Sequence, residues 1–216
     1  RNNSSIDPIE PGSAYIEPVM IAGGVTAAYL DDDCWPDLAF AGGDASGLVF
    51  YRKRIGAQGY DAADDLFAPG LRDSLGTRFT GIAVADLNGD FRRELLLGNL
   101  HQGTVPILST ADAGYYLQSG ALPMSRNTYG ISFGLLGTSG YPDLFLSHWS
   151  TTGTQGTAPA FFANEAGTTL IPYDKQANTS SAAINQVYNF SPKFADLTGD
   201  GRQDLCISSD FGTSVA

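Results

Sequence analysis

The chain has 216 residues, and its 12 Lys and Arg against 23 Asp and Glu give a formal net charge of −11. This balance argues against nucleic acid or an anionic membrane surface as a partner, because phosphate groups are bound by clustered basic residues. A cation is a more suitable partner for a chain with this negative charge. A hydrophobic share of 43% is enough for a core, and 26 Gly with 11 Pro predict many turns and few surface helices. No apolar run approaches the roughly 20 residues that a bilayer-spanning helix needs.

One module occurs four times along the chain. Each copy consists of a β-rich run, a loop with oxygen-bearing side chains at alternate positions, and an acidic residue followed by a second apolar run. The four acidic residues are Asp37, Glu94, Asp143 and Asp204, separated by 57, 49 and 61 residues. Such self-similarity indicates a repeat architecture. It predicts a single domain over 1–216, with repeats at about 20–75, 76–124 and 125–185 and a last repeat made of 186–216 plus 1–19.

Each copy is predicted to form about four short β-strands, because its apolar runs are short and are bounded by Gly, Asp and Asn. The predicted strands are 25–30, 38–41 and 48–52 in the first copy, 82–87, 95–97, 105–108 and 115–118 in the second, and 131–136, 144–146, 161–163 and 169–173 in the third. No capped, periodic helix appears. The pattern predicts an all-β fold. A radial array of about four four-stranded sheets, a β-propeller, would leave only short, protected sheet edges.

The loop sequences carry a resemblance to a known family. The second copy reads ADLNGDFRRELLLG from residue 85, and the fourth reads ADLTGDGRQDLCIS from residue 195. Both resemble the FG-GAP or VCBS repeats of integrin α-subunit propellers and of many secreted bacterial proteins. The strings WPDL at 35–38 and FYR at 50–52 resemble propellers associated with ASPIC/UnbV domains. The resemblance extends over nearly the whole chain from about Gly24. It implies a β-propeller of an extracellular or cell-surface protein, with Ca²⁺ in its hairpin loops and a role in adhesion or ligand binding.

The loop residues themselves also point to calcium, which takes six to eight oxygen ligands from alternate loop positions. The second loop offers Asp86, Asn88, Asp90, Glu94 and the carbonyl of Arg92, and the fourth offers Asp196, Thr198, Asp200, Asp204 and the carbonyl of Arg202. The first has Asp31, Asp33, Asp37 and the carbonyl of Trp35, with Tyr29 in place of the first ligand, whereas the third has Leu135, Gly137 and Ser139. The same residue types also form ordinary turns without metal. Recurrence favours two calcium sites, in the second and fourth loops; the first loop stays open as a third site, and none is expected in the third loop.

The closure of the last blade has three alternatives, because its third strand should begin near residue 212. In one, the N-terminal segment completes this blade and closes a compact four-bladed ring. In another, a neighbouring chain supplies the missing strands, which gives head-to-tail assembly. In the last, the chain is a fragment of a larger propeller.

Binding or assembly is favoured over catalysis, because the sequence has no phosphate-binding glycine motif and no nucleotide fingerprint. Ser132 within a G-x-S-x-G string, followed by Asp143 and His148, has the residue order of a serine hydrolase. However, Ser132 lies in a predicted strand and not at a strand-to-helix turn. The expected role is structural or adhesive, with self-association by strand exchange. The alternative is a module that recognises a protein or glycan through loops at one face.

The remaining candidate residues have open interpretations. Trp149, Tyr115 and Tyr116 are either ligand contacts or core residues, and the two histidines, His101 and His148, are too isolated for a metal cluster. A closed ring would allow a disulfide between Cys34 and Cys206, with two separate buried thiols as the favoured alternative. The triplets at Asn2, Asn3, Asn178 and Asn189 are N-glycosylation acceptors only in a secreted eukaryotic protein.

Overall fold

The computed structural model describes residues 23–42, 47–75, 79–99, 103–112, 114–118, 122, 128–135, 137–148, 161–172 and 189–209. Sheet 1 contains β1 (Gly24–Ala28), β2 (Asp37–Ala41), β3 (Leu48–Lys53) and β4 (Tyr60–Ala62). Sheet 2 contains β5 (Phe79–Ala85), β6 (Glu94–Asn99), β7 (Val105–Thr110) and β8 (Gly114–Leu117). Sheet 3 contains β9 (Thr128–Gly134), β10 (Asp143–His148), β11 (Phe161–Asn164) and β12 (Leu170–Pro172). Sheet 4 is the pair β13 (Asn189–Ala195) and β14 (Asp204–Ser209).

The all-β prediction is confirmed. Within each of the three four-stranded sheets the strands are antiparallel and neighbour one another in chain order. The strand predictions for the described residues are also confirmed, with ends shifted by up to three residues. Two features were not predicted, the exposed strand β4 and a helical stretch made of a 3-10 turn (Asp64–Leu66) and one helical turn, α1 (Leu71–Ser74). Any further strands of the fourth predicted blade fall outside the described residues.

The four sheets are stacked in chain order, with the first strand of each sheet packed against the first strand of the next. Alternate residues of a strand point to opposite faces of its sheet. In β6, therefore, Leu95 and Leu97 belong to the apolar core shared with sheet 1, whereas Leu96 belongs to the core shared with sheet 3. Phe145 of β10 similarly joins the core shared with sheet 4. The hydrophobic core is thus divided into layers between successive sheets.

Glycine allows the first strands to approach one another closely. A Cβ atom on Gly24 would lie 2.8 Å from the backbone nitrogen of Ile82 in the next sheet, and one on Gly81 would lie 3.0 Å from the carbonyl oxygen of Tyr129. Since real Cβ atoms rarely approach backbone this closely, both positions need glycine for the stacking. The two glycines occupy the same place in their repeats, five residues before Tyr29 and Asp86.

The described sheets form an open row. No packing comparable to that of neighbouring sheets joins β13 to β1 within the described residues. The outer faces of the row are consequently exposed: Val25 of β1 has 60% of its surface accessible, and Cys206 of β14 is exposed. Cys34 is also exposed, and both thiols are free. The expectation of buried thiols is therefore wrong, because Cys34 lies in an exposed loop and Cys206 faces away from sheet 3.

Candidate metal-binding loops

Four equivalent loops join the first strand of each sheet to the second. They are loop 1 (residues 29–37), loop 2 (86–94), loop 3 (135 and 137–143) and loop 4 (196–204), and positions 1 to 9 are counted from the first residue of each. All the residues predicted as calcium ligands lie in loops 1, 2 and 4. Loop 3 has an acid only at position 9, so comparison with it shows what the additional carboxylates contribute to loops 1, 2 and 4.

The acid at position 9 closes the base of every loop. Its carboxylate accepts a hydrogen bond from a backbone N–H near the start of the loop. The donor and acceptor pairs are Leu30 to Asp37 at 3.2 Å, Leu87 to Glu94 at 2.7 Å, Gly137 to Asp143 at 2.8 Å and Leu197 to Asp204 at 2.9 Å. Loop 3 keeps this bond although it lacks the other predicted ligands. Position 9 therefore has a structural role that does not depend on metal.

A second hydrogen bond recurs inside all four loops, from the N–H at position 7 to the side-chain oxygen at position 5. The pairs are Trp35 to Asp33, Arg92 to Asp90, Tyr141 to Ser139 and Arg202 to Asp200, at 2.8 to 3.2 Å. Between them, position 6 has a positive φ in every loop, at Cys34, Phe91, Gly140 and Gly201. The backbone geometry at positions 5 to 7 is thus shared by all four loops, whatever their number of carboxylates.

Loops 2 and 4 differ from the other two at position 1. Asp86 accepts hydrogen bonds from the N–H groups of Gly89 at 2.7 Å and Phe91 at 2.9 Å. Asp196 accepts the equivalent bonds from residues 199 and 201, at 2.6 and 2.9 Å. Loops 1 and 3 have Tyr29 and Leu135 at this position, and both are exposed. The carboxylate at position 1 therefore organises loops 2 and 4 alone.

The neutral predicted ligand of loop 2 is held within the same network. Asn88 accepts the N–H of Asp90 through Oδ1 at 2.9 Å, and its Nδ2 donates to the Asp90 carboxylate at 3.2 Å. In loop 4 the backbone N–H of Thr198 donates to Asp204 at 3.2 Å. An amide or carboxylate oxygen that accepts an N–H retains a lone pair, so these contacts leave the oxygens of loops 2 and 4 chemically suited to a hard cation.

Three of the acids at position 9 are buried: Asp37, Glu94 and Asp143 have at most 4% of their surface accessible. Burial raises the pKa of the Glu94 carboxyl group, against the opposing effect of hydrogen bonds from the Leu87 N–H and the Ser109 hydroxyl. Burial likewise raises the pKa of Asp37, although the Lys53 N–H donates to it at 2.8 Å. Keeping these side chains charged at neutral pH therefore has a cost, which a bound cation would reduce.

The structure gathers the carboxylates of only one loop. Among the described residues, Asp31, Asp33 and Asp37 are the only three acidic side chains whose ligand atoms all lie within 4.8 Å of one another. One oxygen of Asp33 is buried without a hydrogen-bond partner. The acids of loops 2 and 4 do not converge in this way. The sequence-based ranking, which placed loops 2 and 4 before loop 1, concerns metal binding and stays a prediction.

The nearby cations explain this difference. In loop 1, Nε of Arg52 donates to Asp31 at 2.5 Å. Partial burial alone would raise the pKa of Asp31, but the hydrogen bonds from Arg52 and from the Asp33 N–H bring it below its usual value. In loop 2, the nearest guanidinium is that of Arg93, 3.6 Å from Asp86. For loop 4, the described part of the chain contains no ion pair to an acidic ligand candidate.

Neighbouring loops are joined side by side. Arg92 of loop 2 forms an ion pair of 2.9 Å with Asp32 of loop 1. Gln203 of loop 4 accepts the backbone N–H of Leu135 in loop 3 at 2.7 Å. Loop 2 is tied to sheet 3 as well, because the buried Asn164 donates through Nδ2 to the carbonyl oxygen of Leu87 at 2.9 Å. The four loops therefore form one continuous row at one end of the stacked sheets.

Several large apolar side chains are exposed on this row. Phe91 is 90% accessible although its φ of 68° is unfavourable for any residue except glycine. Tyr29, Trp35, Leu135 and Leu197 are also exposed, at 47 to 58%. The loop row consequently combines carboxylates with solvent-exposed aromatic and aliphatic groups. The exposure of Phe91 was not predicted, although the sequence carries a signal for it, since loops 3 and 4 have glycine at the same position.

The other candidate residues lie elsewhere. Ser132 is in β9 and is paired with Phe145, while the Asp143 carboxylate accepts N–H groups of Gly137 and Asn164. His148 ends β10, and Tyr115 is a core residue, 2% accessible. Asn189 begins β13. The remaining candidates lie outside the described residues, namely His101, Trp149, Asn2, Asn3 and Asn178.

The residues that sequence analysis missed are Arg52, Asn164 and Gln203. Arg52 could have been found from strand register, because it follows Tyr51, the β3 partner of Leu38. It therefore lies opposite Asp37. No comparable signal marks Asn164 or Gln203, whose partners are 77 and 68 residues away.

Comparison with known proteins gives no assignment, because no protein-family model matches the chain and no curated protein matches it significantly. Within the described residues, no helix has both the length and the apolar character needed to cross a bilayer.

Proposed function

We propose that the chain is an extracellular, calcium-binding β-propeller built from FG-GAP-like repeats, with a structural or adhesive role. Calcium in loops 2 and 4 rigidifies the row of hairpin loops. The observation that carries this proposal is the row itself: four loops of one backbone geometry, side by side, two of them with oxygen ligands at positions 1, 3, 5 and 9. The stacking of sheets through their first strands supports a propeller, since blades pack in this way.

Electrostatics supports a divalent cation over a purely internal network. Loop 4 carries Asp196, Asp200 and Asp204 within nine residues, and no basic side chain among the described residues pairs with them. Oxygen donors of this kind suit calcium better than softer metals. Binding would draw together carboxylates that at present satisfy only backbone N–H groups. We therefore expect calcium to stabilise the loops and to have no part in a reaction.

The test is a comparison of thermal unfolding in calcium and in EGTA. Chelation should lower the melting temperature or dissolve assemblies. Asp90→Ala should weaken calcium binding measured by calorimetry, whereas Ser139→Ala, which removes the position 5 oxygen of loop 3, should leave it unchanged. Equal effects of the two substitutions, or a melting temperature indifferent to calcium, would contradict the proposal.

The adhesive or structural role is tested by mass in solution. Light scattering in calcium should show a particle whose mass rises with protein concentration, because both outer faces of the sheet row are exposed. A monodisperse particle at all concentrations would exclude the assembly role.

The exposed Phe91 and Trp35 favour a second candidate function, recognition of a protein or glycan by the loop row. Aromatic side chains supply both apolar contact area and stacking surfaces for such ligands. If a glycan array gives a ligand, Phe91→Gly should weaken its binding and leave calcium affinity unchanged. Unaltered ligand binding in this variant would remove Phe91 from the recognition surface.

A further inference from the structure

Loop 1 gathers three carboxylates that the other acidic loops keep apart. Asp31, Asp33 and Asp37 have oxygens within 4.8 Å of one another. Like charges at such distances repel, and the repulsion increases as the groups are buried. Asp37 is fully buried, and Asp31 and Asp33 are partly buried. The arrangement therefore requires a compensating positive charge close to the loop.

The Arg52 guanidinium supplies that charge. Its Nε donates to Oδ2 of Asp31, the position 3 side chain, at 2.5 Å. Its terminal nitrogens donate to the two oxygens of Asp65 at 3.3 and 2.8 Å. The second contact holds the planar guanidinium from outside the loop, which fixes its orientation toward Asp31. Arg52 thus makes a direct contact with an oxygen that a metal ion in loop 1 would need.

Among the three sheets whose third strand is described, an arginine lies opposite position 9 only in sheet 1. Tyr51 of β3 pairs with Leu38, so the next residue, Arg52, lies opposite the acid at position 9. The equivalent pairs are Leu95 with Ile107 in sheet 2 and Leu144 with Phe162 in sheet 3. The residues that follow Ile107 and Phe162 are Leu108 and Ala163, which carry no charge. The strand that would supply this residue in sheet 4 lies outside the described residues.

We propose that Arg52 takes the place of a calcium ion in loop 1, so that this loop is stable without metal and the chain binds calcium in loops 2 and 4 only. The number of ions in the wild-type protein rests on the proposed function, whereas the role of Arg52 rests on the contacts within loop 1.

The test replaces Arg52 with methionine, which keeps much of the aliphatic length and removes the charge. Arg54→Met is the matched control, because Arg54 forms an ion pair with the exposed Asp61 away from the loops. Calorimetry should count two calcium ions in the wild type and in Arg54→Met, and three in Arg52→Met. In EGTA, Arg52→Met should melt about 5 °C lower than the wild type, and calcium should restore the difference.

Terbium luminescence gives a readout specific to loop 1. Terbium occupies calcium sites and is excited through a nearby indole, and Trp35 is at position 7 of this loop. Arg52→Met should gain tryptophan-sensitised emission, and the further change Trp35→Phe should abolish the gain. If Arg52→Met does not fold in EGTA, its recovery in calcium with a third ion supports the proposal. Arg52→Lys, which keeps a positive charge, should remain at two ions.

Two results would overturn the inference: a third calcium ion in the wild-type protein, or an Arg52→Met variant that binds two ions and is as stable as the wild type in EGTA. The double variant Asp90→Asn, Asp200→Asn, which removes the carboxylate at position 5 of loops 2 and 4, separates this failure from that of the proposed function. Adding Arg52→Met to it should create one calcium site where the parent has none. If the wild type binds no calcium but the triple variant gains one site, the proposed function is refuted and the role of Arg52 stands.

Discussion

Replacing Glu94 with glutamine separates the structural and the electrostatic roles of the acid at position 9. The Glu94 side chain is buried, and its two oxygens accept the Leu87 N–H at 2.7 Å and the Ser109 hydroxyl at 3.2 Å. Glutamine has nearly the same size. Its amide oxygen can keep the bond from Leu87, and its amide nitrogen can donate to the Ser109 oxygen instead. The substitution should therefore preserve the loop and remove only the negative charge.

The expected effect of Glu94→Gln on the free energy of unfolding differs strongly with and without calcium. Without metal, a charge-assisted hydrogen bond of about 1.5–3 kcal/mol becomes a neutral one of about 0.5–1.5 kcal/mol. The lower cost of burying a neutral group offsets this loss, so the variant should lie within about 1 kcal/mol of the wild type. At calcium 100-fold above its dissociation constant, a site adds about 2.7 kcal/mol, or about 5–11 °C for a chain of this size. Glu94→Gln should lose this increment for loop 2 and keep that of loop 4.

Scanning calorimetry in EGTA and in calcium measures both quantities. Asp143→Asn is the matched control, because Asp143 makes the same hydrogen bond at the base of loop 3, where no other carboxylate is present. Its calcium-induced shift should equal that of the wild type. A full calcium shift in Glu94→Gln, or an equal loss in Asp143→Asn, would refute the assignment of loop 2 as a metal site.

Three further predictions concern strain, pH and sheet packing. Phe91→Gly should raise the free energy of unfolding in urea by up to about 1 kcal/mol, because the side chain is 90% exposed and its φ is 68°; no gain would contradict strain at this residue. In EGTA, the stability of the wild type relative to Glu94→Gln should fall as pH rises above 4.5, the ordinary value for this group. Burial raises the folded-state pKa of Glu94, so its stabilising contribution is complete below the unfolded-state pKa and is lost as pH rises through the folded-state pKa. A stability difference between the wild type and Glu94→Gln that increases with pH would contradict a raised pKa of Glu94. Gly24→Ala should cost about 1–3 kcal/mol in urea unfolding, since its Cβ would lie 2.8 Å from the Ile82 nitrogen; unchanged stability would contradict the stacking of β1 on β5.

Much of the fold was predictable because most of its strands have a local pattern of apolar residues. The run from Leu95 to Leu97 predicts a strand buried on both faces, and its three leucines are indeed shared between two core layers. Strand β4 was missed because Tyr60–Ala62 is exposed along its whole length and has no apolar alternation. The short helix near Leu71 is a single turn, too short for a periodic signal.

The loops were located by sequence, but the arrangement of their charges was not. The spacing of the residues in a nine-residue loop identifies which side chains face one another. The recurrent hydrogen bond from the backbone N–H at position 7 to the side-chain oxygen at position 5 follows from this spacing. Whether carboxylates converge depends on cations brought from elsewhere. Arg52 reaches Asp31 across 21 residues, and Asn164 reaches Leu87 across 77. The Arg52 contact follows from the register of the β2–β3 hairpin, whereas the Asn164 contact is fixed by sheet stacking, which a single sequence does not specify.

The four loops differ chiefly in how their negative charge is compensated. Loop 3 has lost the carboxylates before position 9, loop 1 has an arginine, and under the proposed function loops 2 and 4 depend on calcium. Loop 2 is also bonded to sheet 3 through the Leu87 carbonyl and Asn164, whereas loop 1 is held within its own sheet by Arg52. Loss of calcium should therefore loosen the contact between sheets 2 and 3 before that within sheet 1. Hydrogen exchange in EGTA would show this order as earlier deuteration of the Leu87 amide than of the Leu30 amide, both of which are hydrogen-bonded to acids at position 9.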